Sequence, residues 1–163
     1  MSERVRVGIS EYKIAQAPTL LMTYGLGSCL GITLYDATAA IGGLAHTLLP
    51  YPREGMDLSR PAKFVDAAIR LMLTDLLQIG CSRQRLVAKM FGGANMFEGL
   101  QNPNREGIGQ RNIRSARETL ADLGIPLTAE DVGGNFGRTV EFDVATGAVL
   151  IRSVRDEQRE RHF

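Results

Sequence analysis

The chain has few of the groups that covalent or metal chemistry draws on. Its 163 residues include two cysteines and two histidines. Cys29 and Cys81 stand at unrelated spacing and make no disulfide framework. No Cys-x-x-Cys or His-x-x-x-His spacing exists to hold zinc, so neither a metal nor a cofactor is expected. Free thiols in a reduced, cytoplasmic protein are the simplest reading. No apolar run approaches the ~20 residues of a membrane span. The opening Met1-Ser2-Glu3-Arg4-Val5 has no apolar signal region, so membrane insertion is not expected. An excess of charge of one sign is also lacking. Nineteen Lys and Arg stand against 18 Asp and Glu, a net charge of +1, which gives no electrostatic case for nucleic acid. Arg105, Arg111, Arg114 and Arg117 are interspersed with Glu106, Glu118 and Asp122, as on a solvated helix face. The glycine-rich Gly92-Gly93-Ala94-Asn95 lacks the Lys-Ser/Thr of a phosphate loop.

What is present suffices for one domain with a proper core, expected over residues 1–163. Hydrophobic residues make up 44% of the chain. Val5, Val7 and Ile9 alternate as in a half-buried strand. Leu20 to Thr23, Leu30 to Tyr35 and Ile41 to Leu49 are further short apolar runs, the last ended by Pro50 and Pro52. Ser59 is placed to cap a helix with Pro61 in its first turn. Val65, Ile69, Met72, Leu76 and Ile79 would form that helix's buried stripe, stopped by Gly80. Leu86 to Phe91 reads as a strand. Asn102-Pro103-Asn104 reads as a loop, and Gly109 to Leu123 as a second helix carrying Ile113, Ala116, Leu120 and Leu123. Leu127 to Val132 is another strand. Thr139 to Ser153 is a hairpin turning at Ala145-Thr146-Gly147. The charged tail, about 155–163, should fray. Hairpin-spaced strands with only two long helices predict an α+β fold, with mostly antiparallel or mixed sheets flanked by the helices.

The scarcity of reactive groups makes one pair conspicuous. Cys29 ends a glycine-rich turn, Gly25-Leu26-Gly27-Ser28-Cys29, and His46 lies in the following apolar run, whereas His162 sits in the charged tail. A thiolate is a strong nucleophile, and an imidazole can generate it. Backbone N–H groups around Gly27, Ser28 and Cys29 can face a developing oxyanion. A third group usually orients the base, and Thr23 is a candidate through its hydroxyl or its carbonyl. From the residues alone, a cysteine before an apolar strand is more readily a small buried hydrophobe. His46 can likewise be a satisfied core residue, and Cys81, just after Gly80, is structural.

Six stretches in order change that balance. They are Gly25-Leu26-Gly27-Ser28-Cys29-Leu30-Gly31; Gly42-Gly43-Leu44-Ala45-His46 with Leu48-Leu49-Pro50; and Lys63-Phe64-Val65-Asp66. They continue with Ala88-Lys89-Met90-Phe91-Gly92-Gly93-Ala94-Asn95-Met96-Phe97, Ile108-Gly109-Gln110-Arg111-Asn112 and Gly133-Gly134-Asn135-Phe136-Gly137-Arg138. Together they resemble the chemoreceptor glutamine deamidase family CheD over nearly the whole chain. The resemblance implies hydrolysis of glutamine side chains on methyl-accepting chemotaxis receptors. It implies a Cys-His-Thr triad, falling here on Cys29, His46 and Thr23, and a fold similar to the catalytic domains of deamidating bacterial toxins. It also implies a CheC-type phosphatase as a partner. An adaptor that mainly binds CheC or receptors, or a methylesterase using the same triad, are the alternatives. Phe91, Met96, Phe97 and Leu100 are the expected apolar partner surface, beside an open groove at Cys29.

Overall fold

The computed structural model describes residues 2–96, 106–153 and 160–163. Ten strands and two α-helices follow in chain order. The strands are β1 (Glu3–Arg6), β2 (Glu11–Gln16), β3 (Thr19–Leu26), β4 (Leu30–Asp36) and β5 (Ile41–Thr47). Helix α1 (Val65–Gln78), β6 (Val87–Gly92) and α2 (Ile108–Leu123) come next. β7 (Leu127–Val132), β8 (Arg138–Asp143), β9 (Val149–Ser153) and β10 (Glu160–His162) complete the described elements. The strands form two five-stranded mixed sheets, ordered β1-β3-β8-β9-β10 and β2-β5-β4-β6-β7. The fold is α+β, as the sequence predicts.

Burial sorts these elements into three layers. Leu30, Ile32 and Leu34 of β4 pack with Ile69, Met72 and Leu76 of α1 and with Ile113, Ala116 and Leu120 of α2. The alternate positions of the second sheet face the first: Tyr35, Leu44 and Phe91 pack with Leu21, Leu26, Val140 and Phe142. Tyr35 meets Phe142 edge-to-face at 5.6 Å. The second sheet is thus covered on both faces. That is why β4 and β5 are buried at every position and appear in sequence as continuous apolar runs rather than alternation.

Several elements depart from the sequence reading. β1 stops at Arg6, Val7 continues as a buried linker, and Ile9 is 55% exposed. β2, which the sequence reading does not place, pairs antiparallel with β5. β3 runs on past Thr23, with a register shift before Leu26 where Gly25 takes a φ of 72°. Pro61–Lys63 is a separate 3-10 turn, and α1 begins only at Val65, without a side-chain cap. Phe64 is held extended by a parallel bridge to Leu49. Ile79 ends α1 and is 43% exposed. Of the tail expected to fray over about 155–163, residues up to 159 lie outside the described residues; beyond them β10 pairs with β9, and Phe163 lies against Phe91 at 5.5 Å between ring centroids. The loop expected at Asn102-Pro103-Asn104 lies outside the described residues.

Candidate active site

Strand register brings the three singled-out side chains to one end of the inter-sheet core. His46 pairs with Gly31 across β4 and β5. Cys29 stands two residues before Gly31, on the same face of the pleat. That face meets the first sheet, where Thr23 of β3 is fully buried. Thr23 Oγ1 lies 2.7 Å from His46 Nδ1 and donates its proton to the Val7 carbonyl, also at 2.7 Å. A hydroxyl has one proton, so Thr23 accepts from His46 Nδ1–H. The imidazole is thereby held as the tautomer with a bare Nε2. Nε2 is buried and has no hydrogen-bond partner among the described residues. The linker from β1 to β2 closes over this pair. Val7 N–H donates to the Met22 carbonyl at 2.7 Å, and Ser10 N–H to the His46 carbonyl at 2.9 Å.

Burial sets the resting charge state. It pulls the His46 pKa from the ordinary 6.5 down to about 4. It pushes the Cys29 thiol up, an effect only partly offset by the residue's own backbone N–H. At neutral pH both groups rest uncharged, a thiol and a neutral base rather than a preformed ion pair. Cys29 is 8% exposed, where the sequence leads to the expectation of an open groove around it. Cys81 sits in the other core layer, among the side chains beneath the helices.

The turn carrying Cys29 is held from one side. Ala94 N–H donates to the Gly27 carbonyl at 2.9 Å, and Gly93 N–H to the Cys29 carbonyl at 2.8 Å. Asn112 Nδ2 donates to the Ser28 carbonyl at 2.9 Å. Gly92, at a φ of 103°, is needed for this approach, because a Cβ there would stand 2.4 Å from the Cys29 carbonyl oxygen. The sequence reading assigns Asn112 no role, although it carries a signal: a polar residue on the apolar stripe of α2, beside Ile113 and one turn before Ala116.

The expected partner surface fares unevenly. Phe91 is fully buried between the sheets and is not a surface residue; its position in β6 turns it into the inter-sheet core. Met96 is 47% exposed and lies over the turn, its Cγ 3.3 Å from where a Gly27 Cβ would stand. Phe97 and Leu100 lie outside the described residues.

Two facing sheets backed by a helix pair, with thiol, imidazole and hydroxyl collected at one end of the inter-sheet core, define an α+β protein equipped for nucleophilic chemistry at cysteine. The family model described as CheD chemotactic sensory transduction matches residues 48–153. "Probable chemoreceptor glutamine deamidase CheD 2" of Geobacter metallireducens is 54% identical over 95% of this chain and 96% of its own. "Probable chemoreceptor glutamine deamidase CheD 3" of Geobacter sulfurreducens is 53% identical over the same shares. A "Probable chemoreceptor glutamine deamidase CheD" of Pyrococcus abyssi is 45% identical over 94% of each chain. The chain belongs to the CheD family. No described helix is long and apolar enough to cross a membrane.

Proposed function

We propose that this protein hydrolyses the side-chain amides of glutamines on chemotaxis receptors, giving glutamate and ammonia through a thioester on Cys29. The observation that carries the reading is the Val7–Thr23–His46 chain. It leaves a bare, buried Nε2 on the face of the sheet that bears the Cys29 thiol, in a chain whose relatives are named chemoreceptor glutamine deamidases.

The steps follow from the resting state. As the glutamine Cδ arrives, His46 Nε2 takes the Cys29 proton and Sγ forms the bond to carbon. The resulting oxyanion is stabilised by the N–H groups of Ser28 and Cys29, with Gly27 leaving room for the substrate. The imidazolium returns its proton to the departing nitrogen, which leaves as ammonia. Nε2 then draws a proton from water as its oxygen attacks the thioester, releasing glutamate and restoring the thiol. Thr23 keeps the imidazole in the productive tautomer throughout. The exposed Met96 is where an apolar receptor face would rest. A CheC-type phosphatase would use the same place, so Cys29→Ala protein should bind receptor or CheC but not both at once.

The test is mass spectrometry of a receptor fragment incubated with the protein. Conversion of amide to acid at glutamine is expected with wild type and with Cys81→Ala, and none with folded Cys29→Ala. Loss of methyl ester groups without deamidation would mark an esterase instead. Receptor binding with no conversion at all would mark an adaptor.

A further inference from the structure

Asn112 is fully buried, and both hydrogen bonds it makes among the described residues reach segments that carry reactive groups. Nδ2 donates to the Ser28 carbonyl at 2.9 Å, directly before Cys29, and to the Leu48 carbonyl at 3.2 Å, two residues past His46. Both N–H bonds of the amide are therefore used, one on the turn just before β4 and one on the residue just after β5. Its Oδ1 has no partner among the described residues, so the donor side alone fixes how the amide is seated.

The peptide unit that Asn112 grips has a second edge. The Ser28–Cys29 peptide is trans, since the cis bond described is Ala17–Pro18. In a planar trans peptide the carbonyl and the N–H point in opposite directions. Holding Ser28 C=O toward α2 therefore aims Cys29 N–H away from α2, toward the inter-sheet face that bears Sγ. The influence of that N–H on the Cys29 thiol fits this placement. The preceding unit is built alike. Ala94 N–H holds Gly27 C=O, which aims Ser28 N–H outward, and Gly109 lets α2 approach closely enough to support Gly93 and Ala94.

We propose that Asn112 is a positioning residue that fixes the Ser28–Cys29 peptide plane and so aims the Cys29 N–H at the oxyanion. The proposal rests on the deamidase reading and adds to it a role for a side chain outside the Cys29–His46–Thr23 group. Asn112 touches neither substrate nor the reacting atoms. Its removal should weaken transition-state stabilisation while leaving the reactivity of the formed thiolate and its base as they were.

The experiment compares wild type and Asn112→Ala on a receptor fragment, separating kcat from KM. In parallel it follows alkylation of Cys29 by iodoacetamide across pH. The expected result is a fall in kcat of about 10²-fold, the loss that follows removal of one oxyanion donor. KM should stay within about twofold. The plateau rate of alkylation at high pH, where the thiol is ionised in both proteins, should not change, because alkylation develops no oxyanion; the profile's midpoint should move up, because the N–H that lowers the thiol is no longer held. A kcat near wild type would overturn the proposal. So would a parallel fall in kcat and in the plateau alkylation rate, the mark of a merely disordered turn. If Asn112→Ala does not fold, Asn112→Ser takes its place, with the same readouts and the same expected and overturning results. Failure of the underlying reading looks different, since wild type itself would then leave receptor glutamines unconverted.

Discussion

Thr23 has a single hydroxyl proton and spends it on the Val7 carbonyl, so its contribution to His46 is that of an acceptor and nothing else. Thr23→Val preserves shape but leaves two buried polar groups unpaired, Val7 C=O and His46 Nδ1–H, each costing about 1–3 kcal/mol. It should lower both stability and turnover, whereas Thr23→Ser should retain most of each. The fall in turnover should be smaller than for His46→Ala, where the proton transfer itself is lost, about 10²–10⁴-fold; steady-state kinetics of the three variants decides. His46 also gives the fold a pH dependence of known sign. Its folded pKa of about 4 lies below the ordinary 6.5, so the unfolded chain binds the proton more tightly. The stability it contributes is present at neutral pH and is lost as pH falls from 6.5 toward 4, about 2 kcal/mol between pH 7 and 5. Asp36, held to about 2 by its hydrogen bond with Arg85, titrates in a separate, lower window. Urea unfolding at pH 7 and 5 should show this loss in wild type and not in His46→Asn.

At the scale of elements, helix α2 acts as the backing plate of the Cys29 turn, and Gly109 is the residue that lets it dock. A Cβ there would lie 2.4 Å from the Gly93 carbonyl oxygen and 2.5 Å from that of Ala94. Replacing a helical glycine with alanine ordinarily stabilises by about 1 kcal/mol. Here the clash is with backbone, so Gly109→Ala should instead destabilise by about 1–3 kcal/mol and reduce kcat, since Gly93 and Ala94 hold the turn. Chemical denaturation and turnover measure the two effects. The elements legible in the sequence were those whose pattern is local. The stripe Val65, Ile69, Met72, Leu76 marks α1, and Ile113, Ala116, Leu120, Leu123 marks α2. The β8–β9 hairpin announces itself by Ala145-Thr146-Gly147. β2 and β10 are not legible: Glu11–Gln16 mixes three polar residues with Tyr12, Ile14 and Ala15, Glu160–His162 is entirely polar, and both become strands through the partners β5 and β9. The start of α1 departs from the local signal for a similar reason, since the bridge between Leu49 and Phe64 overrides the capping signal at Ser59. Within the candidate site, rarity exposed Cys29 and His46. The Val7 carbonyl and the grip of Asn112 are contacts between distant segments, and no spacing in the chain announces them.

For the molecule as a whole, the candidate site is shared between layers. Thr23 belongs to the first sheet, His46 to the second, and Asn112 to the helices packed behind it. The groups that fix the Cys29 turn therefore come from Gly92 to Ala94 and from Gly109 and Asn112, far along the chain from Cys29 and His46. This spread has a consequence in time. Contacts between distant segments form late in folding, because closing long loops costs entropy before the contacts compensate. A growing or refolding chain carries its thiol and imidazole long before it carries the helix that seats them, so Cys29 should behave as an ordinary, freely labelled cysteine until α2 docks. Pulsed iodoacetamide labelling during refolding from denaturant should show Cys29 becoming protected in the same phase as the final helical signal; protection in an earlier phase would contradict this order. In that order of events, the reactive centre is silent during synthesis and acquires its chemistry only with the last layer of the fold.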